Sequence, residues 1–239
     1  MIRLRHISAG YRHKTILKDV SADLPSGKLI ALLGRNGSGK STLIKAFTPQ
    51  GTLTSGEIEI DGKDISRLSQ AELAKMVSFV TTERIRISNM ECHDLVALGR
   101  APYTDWIGRL KENDEEAVAQ ALQSVGMSAY AHRSMDSLSD GECQRIMIAR
   151  ALAQDTSVMI LDEPTAFLDV PGRYQTTALL QKLAKTQQKT IIFSTHDLDV
   201  AMELADQCIL LDPPDFHFMS TEDMRKSGLA EKIFKIKNR

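Results

Sequence analysis

The sequence lacks a charge excess of either sign, and it lacks any long hydrophobic run. Its 30 lysines and arginines nearly balance 31 aspartates and glutamates, for a formal net charge of −1. Proteins that bind nucleic acid through their charge need a basic surface, so this balance argues against nucleic acid as a partner. The longest apolar runs, such as residues 29–33 and 158–161, are far shorter than the roughly 20 residues of a membrane span. The first residues show no signal-peptide pattern, so we expect a cytoplasmic protein whose membrane role would depend on a partner.

Cysteine is scarce as well. Cys92, Cys143 and Cys208 are scattered, with no CxxC pair, which favours reduced thiols in a reducing compartment. Cys92 precedes His93, but adjacent side chains of a helix point apart, and two ligands are too few for a zinc site. We therefore predict no metal site at the cysteines.

The first quarter and the final third of the chain alternate strand-like runs with turns and helical patterns. A length of 239 residues suits one good-sized core, or one core with a small subdomain. Strands are predicted at residues 2–8, 20–24, 28–33, 57–60, 77–80, 158–161, 190–194 and 207–211, and helices at residues 41–47, 174–184 and 198–204. Strands that alternate with helices imply a mostly parallel sheet covered on both faces. The expected fold class is α/β, with antiparallel β elements near the N-terminus.

The strand signal disappears from about residue 91 to residue 153. Residues 112–125 have apolar side chains at helical spacing behind an acidic start, which is typical of a helix N-terminus. A second helix is predicted at residues 142–153. We therefore predict an α/β core formed by residues 1–84 and 154–239, interrupted by a helical subdomain of residues 85–153.

A glycine-rich segment directly follows the buried strand predicted at residues 28–33. It matches the pattern G-x-x-x-x-G-K-[ST] and consists of Gly34, Arg35, Asn36, Gly37, Ser38, Gly39, Lys40, Ser41 and Thr42. With a strand before it and a helix after it, this is the setting of a phosphate-binding loop. Its backbone N–H groups and the following helix N-terminus would face phosphate oxygens. Lys40 would reach the outer phosphates, and the Ser41 hydroxyl would ligate Mg²⁺.

Two adjacent carboxylates, Asp162 and Glu163, end the apolar run of residues 158–161. Taken alone, they could be solvated acids at the end of a strand. Beside a phosphate loop, Asp162 is expected to hold the hydrated Mg²⁺, and Glu163 is expected to activate the attacking water as a base. The prediction is Mg-ATP hydrolysis.

The segment Leu138-Ser139-Asp140-Gly141-Glu142 opens the helix predicted at residues 142–153. Ser139, with Glu142 three residues later, forms a capping box. A serine and a glycine at an exposed helix N-terminus can also bind phosphate. The sequence is compatible with both a helix cap and a phosphate-binding site at this segment.

Together these segments resemble the nucleotide-binding subunit of an ATP-binding cassette (ABC) transporter, over residues 4–211. In that family's terms, residues 34–42 are the Walker A loop, residues 138–142 are the signature motif (usually LSGGQ, here LSDGE), and residues 159–163 are Walker B. Asp169 lies in the D-loop, and His196 is the switch histidine. Tyr11 stands where the family places an aromatic ring that stacks on adenine. The fold implied is the P-loop NTPase (RecA-like) core.

The resemblance further implies that two copies pack head to tail. Each ATP then lies between the Walker A loop of one copy and Ser139 and Gly141 of the other. Glu163 polarises the water, His196 contacts the γ-phosphate, and Asp169 links the two sites. Closing and opening of this dimer would move integral-membrane permease subunits, so the chain would lie peripherally on the inner face of the membrane.

Residues 95–103, LVALGRAPY, followed by residues 107–110, IGRL, are similar to the importer branch that serves iron-siderophores, haem and cobalamin. A periplasmic or lipid-anchored binding protein would then be an indirect partner. An exporter-type ATPase and a soluble ABC ATPase of DNA repair or translation stay as alternatives. The soluble class usually carries coiled-coil insertions or paired cassettes, which this chain lacks.

One position departs from the family pattern. After the strand at residues 77–80, the family carries a glutamine that contacts Mg²⁺ and water; here Thr82 takes its place, with Glu83 next. A threonine hydroxyl can bond water but reaches less far. The departure bears on the coupling of hydrolysis to transport.

Overall fold

The structure is a computed structural model that describes residues 1–11, 14–49, 51–82, 87–105 and 107–234. Its strands are β1 Ile2–Tyr11, β2 Lys14–Leu24, β3 Leu29–Gly34, β4 Leu53–Ile60, β5 Lys63–Asp64, β6 Val77–Val80, β7 Val158–Leu161, β8 Thr190–Ser194, β9 Gln207–Asp212 and β10 Asp215–Ser220. Its helices are α1 Lys40–Ala46, α2 Gln70–Ala74, α3 Cys92–Ala97, α4 Glu112–Ser124, α5 Asp140–Ala153, α6 Val170–Thr186, α7 Leu198–Leu204, α8 Thr221–Ser227 and α9 Leu229–Phe234. No helix of the described residues is both long enough and apolar enough to cross a bilayer.

The larger sheet has six strands in the order β10-β9-β3-β8-β7-β6. All its pairings are parallel except that of β10 with β9. Every residue of β3, β7 and β8 is buried, as continuous apolar strands covered on both faces must be. The mostly parallel sheet predicted from the sequence is confirmed.

A second sheet is antiparallel, with four strands in the order β2-β1-β4-β5. Strand β1 occupies its centre, and Ile2 lies opposite both Leu24 and Ile60. These strands alternate buried and exposed residues, as expected when one face of a sheet packs on a core. The predicted N-terminal antiparallel elements are confirmed.

Alternation along β3 places its side chains in two separate apolar cores. Leu29, Ala31 and Leu33 join the core that includes helices α3 to α7, while Ile30 and Leu32 join the core between the two sheets and α1. Packing on both faces of β3 therefore fixes the position of the strand and of the loop that follows it.

Between β6 and β7 the described chain is helical, as predicted. Helix α5 packs against both α3 and α4, and a short 3₁₀ segment, Leu98–Tyr103, follows α3. Gly99 lies so close to α5 that a Cβ there would stand 2.2 Å from the carbonyl oxygen of Arg150. The division into residues 1–84, 85–153 and 154–239 stays a prediction, and its first boundary falls outside the described residues.

Several element boundaries differ from the predictions. Helix α6 begins at Val170 rather than at residue 174, because the Asp169 side chain accepts from the Gly172 N–H at 2.9 Å. Pro171 then lies in the first turn of the helix, where proline is tolerated. Helix α3 was predicted only as part of the helical stretch from about residue 91 to residue 153, and α2, α8, α9, β5 and β10, all of which are short, were not predicted.

Candidate active site

Four neighbouring strands bring the predicted catalytic residues to one edge of the large sheet. Strands β3, β8, β7 and β6 are adjacent and parallel, so their carboxyl ends meet at the edge where α/β sheets bind ligands. A cleft of about 440 Å³ opens there. Its lining comprises Tyr11, Ile16, Asn36, Gly37, Gly39, Lys40, Ser41, Thr42, Thr82, Asp162, Glu163 and His196.

The phosphate loop is folded tightly onto itself. A Cβ at Gly34 would stand 2.3 Å from the Ser38 hydroxyl oxygen, so only glycine fits there. Gly39 has a φ of 104°, which favours glycine, and a Cβ there would stand 2.8 Å from the Ile16 side chain. The buried Ser38 hydroxyl has no hydrogen-bond partner among the residues that the structure describes. An orphaned donor inside a loop of this shape fits a site for phosphate oxygens.

Lys40 is the first residue of α1, and its side chain is folded back over the loop. Its Nζ donates to the Gly34 carbonyl oxygen at 2.8 Å and to the Arg35 carbonyl oxygen at 3.3 Å. Partial burial lowers the pKa of Lys40, while the charges of Glu163 and Asp162 act to raise it. The ammonium group thus lies close to the loop and within the field of both carboxylates.

Asp162 and Glu163 are held by one hydroxyl group from the neighbouring strand. Ser194, the last residue of β8, donates from Oγ to Asp162 Oδ1 at 2.6 Å. The same oxygen accepts from the Glu163 N–H at 2.8 Å. Glu163 has a φ of 48°, an uncommon conformation for a non-glycine residue that clusters at functional sites. Ser194 therefore fixes both acids relative to the sheet.

Glu163 also meets His196. The His196 Nε2 atom pairs with Glu163 Oε1, and both side chains line the cleft. Thr82 approaches the same group of residues from β6, because its hydroxyl donates to the Asp162 carbonyl oxygen at 2.9 Å. The threonine thus holds the backbone of the Walker B segment, and Glu83 lies outside the described residues.

The oxygen atoms near the loop suit a magnesium ion. The Ser41 hydroxyl and the Asp162 carboxylate line the same cleft, and Mg²⁺ takes oxygen ligands, one or two from protein and the rest from phosphates and water. The described residues contain no cluster of three histidine, cysteine, aspartate or glutamate side chains able to hold a metal by themselves. The Ser41 and Asp162 oxygens fit an ion that binds together with a phosphate ligand, and the magnesium ion stays a prediction.

Tyr11 forms the outer part of the cleft. It is 44% exposed, and the Lys45 Nζ lies 5.8 Å from its ring centroid. An exposed aromatic ring at the mouth of a phosphate cleft is placed where a base could stack on it. Its role as the adenine platform stays a prediction.

Six of the predicted site residues do not line this cleft: Gly34, Arg35 and Ser38 of the phosphate loop, and Ser139, Gly141 and Asp169. Ser139 caps α5, and its Oγ accepts from the Glu142 N–H at 3.4 Å. A Cβ at Gly141 would meet only Leu168 within 4 Å, at 3.9 Å. The signature segment thus lies outside the cleft that contains the phosphate loop of its own chain.

Sequence reasoning missed Ser194 and the pair formed by Arg173 and Asp197 as parts of this site. Arg173 Nη1 donates to Asp197 Oδ2 at 3.2 Å, and its Nε donates to the Leu168 carbonyl oxygen at 3.0 Å. These contacts tie the switch segment to the D-loop. The usable signal for Ser194 was its position at the end of a strand next to Walker B.

Comparison with known proteins agrees with this geometry. A family model described as ABC transporter matches residues 17–166. The achromobactin transport ATP-binding protein of Dickeya dadantii is 39% identical over 208 residues, which cover 87% of this chain and 77% of that protein. The iron(3+)-hydroxamate import ATP-binding protein of Bacillus subtilis is 36% identical over 205 residues, 86% of this chain and 76% of that protein.

Solved structures agree as well. A structure provisionally designated a metal-chelate type ABC transporter, in an inward-facing conformation, matches with a TM-score of 0.85 and 28% identity over 98% of this chain and 88% of that one. A dimeric ATP-binding cassette in a post-hydrolysis state with ADP and Pi matches with a TM-score of 0.76 and 26% identity over 92% and 99%. The phosphate loop, the paired acids and these matches lead to one conclusion: the chain belongs to the ABC transporter family and is an ATP-binding-cassette ATPase.

Proposed function

We propose that this chain is the ATPase subunit of an importer for a metal chelate such as an iron-siderophore, haem or cobalamin. Two copies bind Mg-ATP head to tail and drive separate integral-membrane permease subunits. The relatives that transport achromobactin and iron(3+)-hydroxamate support the substrate class, with 39% and 36% identity. The chain would lie in the cytoplasm against the inner face of the membrane, with a periplasmic or lipid-anchored binding protein as an indirect partner.

One observation carries the dimer: the signature residues lie outside the cleft of their own chain. The phosphate loop, Asp162, Glu163 and His196 share one cleft, and Ser139 and Gly141 lie outside it. A triphosphate on this loop would leave one side without hydrogen-bond donors. The open N-terminus of α5 in a second copy offers such donors, and preorganised donors of this kind can each contribute roughly 10²–10³ in rate.

The proposed chemistry assigns a role to each residue of the cleft. Lys40 and the loop N–H groups bind the β- and γ-phosphates, Ser41 and Asp162 would hold Mg²⁺, and Glu163 accepts the proton of the attacking water. The magnesium ion neutralises phosphate charge when it is bound. His196, which pairs with Glu163, contacts the γ-phosphate, and Asp169 acts across the dimer.

The permease is proposed to contact the exposed apolar residues that follow α3. Leu98 is 54% exposed and Ile107 is 53% exposed. A buried ion pair supports this surface, since Arg100 meets Asp114 at 2.9 Å and donates to the Ala153 carbonyl oxygen at 2.8 Å. Exposed apolar side chains on a rigid base are typical of a protein interface.

Replacing Glu163 with Gln tests the catalytic half of the proposal. We expect turnover to fall by roughly 10²–10⁴-fold because the base is lost, while ATP binding persists and an ATP-bound dimer accumulates in size-exclusion chromatography. Glu222→Gln is the matched control, since Glu222 is an exposed acid paired with Lys226 on α8. Lys40→Ala should abolish both binding and dimerisation. Unchanged turnover in Glu163→Gln would remove Glu163 from the role of base.

Affinity capture from membranes tests the transport half. An importer ATPase should retain a hydrophobic permease, and Leu98→Glu should reduce that retention without reducing ATP binding. Uptake of a radiolabelled ferric siderophore in a strain without the gene distinguishes import from export. Recovery of nucleic acid instead of a membrane protein would refute the importer assignment.

A further inference from the structure

The N-terminus of α5 carries more negative charge than the family's usual signature. Its first turn holds Asp140 and Glu142, where the LSGGQ pattern has a glycine and a glutamine. Glu142 Oε2 accepts from the Ser139 N–H at 2.8 Å and from the Ser139 hydroxyl at 2.7 Å. The proton of the Ser139 hydroxyl therefore points at Glu142.

This arrangement conflicts with the role proposed for Ser139. A serine hydroxyl has a single proton to donate, so Ser139 cannot donate to Glu142 and to a phosphate at the same time. The Glu142 carboxylate also lies at the helix N-terminus that a second anion, the triphosphate of the other copy, would approach. Two anions at one helix N-terminus compete for the same positive potential.

Two residues from the segment before the signature offset this charge. The Tyr130 hydroxyl donates to Glu142, and the positive charge of Arg133 acts on the same carboxylate. The Arg133 guanidinium stacks on the Tyr130 ring, 4.5 Å from its centroid. Hydrogen bonds from Ser139, and to a smaller extent from Tyr130, lower the pKa of Glu142. The carboxylate is therefore ionised at neutral pH.

The backbone holds these two residues in place. The Arg133 N–H donates to the Tyr130 carbonyl oxygen at 2.9 Å, and the Cys92 N–H donates to the Arg133 carbonyl oxygen at 3.0 Å. Because Cys92 begins α3, the pair is fastened to the helix that follows the Thr82 segment. Arg133 and Tyr130 are therefore a fixed part of the signature's surroundings.

We propose that Glu142 is a positioning residue that restrains the Ser139 hydroxyl until the dimer closes, and that Arg133 and Tyr130 partly neutralise Glu142 so that closure on the partner's ATP is possible. On closure the Ser139 hydroxyl redirects its hydrogen bond from Glu142 to a γ-phosphate oxygen, and no covalent bond is made or broken. The inference rests on the proposed head-to-tail function. It makes the charge at Glu142 a determinant of the ATP concentration needed for closure.

Glu142→Gln is the first test, because glutamine keeps the capping box while it removes the charge. We expect the ATP concentration at half-maximal hydrolysis to fall by roughly two- to fivefold, the effect of one charge at a helix N-terminus. The maximal rate should change less than this concentration does. The difference between variant and parent should shrink at about 1 M salt, where the Debye length is only roughly 3 Å.

Arg133→Gln is the second test, and it separates charge compensation from simple structural support. We expect the half-maximal ATP concentration to rise by roughly two- to fivefold when Glu142 is present and to stay unchanged in the Glu142→Gln background. Tyr130→Phe should act in the same direction as Arg133→Gln. Arg67→Gln is the matched control for net charge, since Arg67 is exposed and, among the described residues, forms its ion pair with Asp64.

The outcomes are separable. An unchanged or raised half-maximal ATP concentration in Glu142→Gln overturns the inference, and so does an equal effect of Arg133→Gln in both backgrounds. Binding of a fluorescent ATP analogue to dilute monomer depends on the phosphate loop and not on the signature, so it tests the proposed function by itself. No binding by the unmodified protein would overturn both proposals, whereas normal binding with no charge effect would overturn this one alone.

Discussion

Replacing Ser194 with Ala removes a side chain that holds both Asp162 and Glu163. The Ser194 hydroxyl is fully buried, donates to Asp162 Oδ1 at 2.6 Å and accepts from the Glu163 N–H at 2.8 Å. Alanine fits the same space because it is smaller. The substitution therefore tests hydrogen bonding rather than packing.

The structure sets the size of the effect. The Glu163 N–H loses its acceptor, and an unsatisfied buried donor costs about 1–3 kcal/mol in the free energy of unfolding. Glu163 is held at a φ of 48°, a conformation that itself costs about 1–3 kcal/mol and persists only while its surroundings enforce it. Loss of a residue that orients a metal ligand typically lowers activity by roughly 10–100-fold, and we expect a fall of this size in the maximal rate of hydrolysis.

The assay is steady-state ATP hydrolysis over a range of Mg²⁺ concentrations at fixed ATP, with thermal unfolding measured in parallel. In Ser194→Ala the Mg²⁺ concentration at half-maximal rate should rise, because Asp162 loses the donor that orients its carboxylate. Ser78→Ala is the matched control: Ser78 is also buried, on β6, and its hydroxyl accepts from Thr156 at 2.9 Å. It should lower the melting temperature without altering the rate, and equal rates in the two variants would refute the reasoning.

Two further substitutions test a hydrogen bond of the cleft and a buried ion pair of the helical region. Thr82→Ala removes a hydrogen bond to the Asp162 carbonyl oxygen and should lower hydrolysis by at most about tenfold, the effect of one neutral hydrogen bond; a 100-fold loss, measured in the same assay, would show that the hydroxyl acts directly on water or metal. Asp114→Asn breaks the buried pair with Arg100 and should cost about 3 kcal/mol of unfolding free energy at pH 7. A hydrogen bond from the Lys111 N–H, and to a smaller extent the Arg100 guanidinium, lowers the pKa of Asp114. The native carboxylate therefore contributes stability that is present above about pH 4 and is lost as the pH falls below it. Chemical denaturation at pH 7 and at pH 3 should therefore show a smaller difference in Asp114→Asn than in the parent.

The sequence predicted the centre of the fold well. Strands β6, β7 and β8 and helix α7 occupy the residues predicted for them. Buried parallel strands are continuous apolar runs with abrupt polar ends, so their pattern carries both position and length. The residues at those ends, Lys40, Asp162, Glu163 and His196, are brought into one cleft as expected.

The C-terminal part was not predictable in the same way. Strand β10 has no buried residue, because it pairs at the edge of the sheet, where neither a continuous apolar run nor clear alternation is required. Helices α8 and α9 span only seven and six residues, and helices this short depend on packing more than on local propensity. Local patterns therefore say little about this region.

The contacts between the predicted catalytic residues could not be derived from the sequence alone. Nothing in the letters around Ser194 marks it as the residue that joins Asp162 to the Glu163 backbone, since that role depends on β8 lying next to β7. Strand order is a property of the whole chain, and it decides which strand ends become neighbours. Once the order is known, a polar side chain at the end of each adjacent strand is an immediate candidate for the site.

Ser139 presents the opposite case. Its capping box is fully explained within one chain, because Ser139 and Glu142 satisfy each other at the start of α5. A second copy would have to break the hydrogen bond from the Ser139 hydroxyl to Glu142 before Ser139 could donate to a phosphate. A residue pair that stabilises the isolated subunit thus opposes assembly of the complete site. ATP binding has to supply the free energy that breaks the pair. On this reasoning the strength of the cap sets how much nucleotide is needed for closure, so the cap regulates closure as well as stabilising the helix.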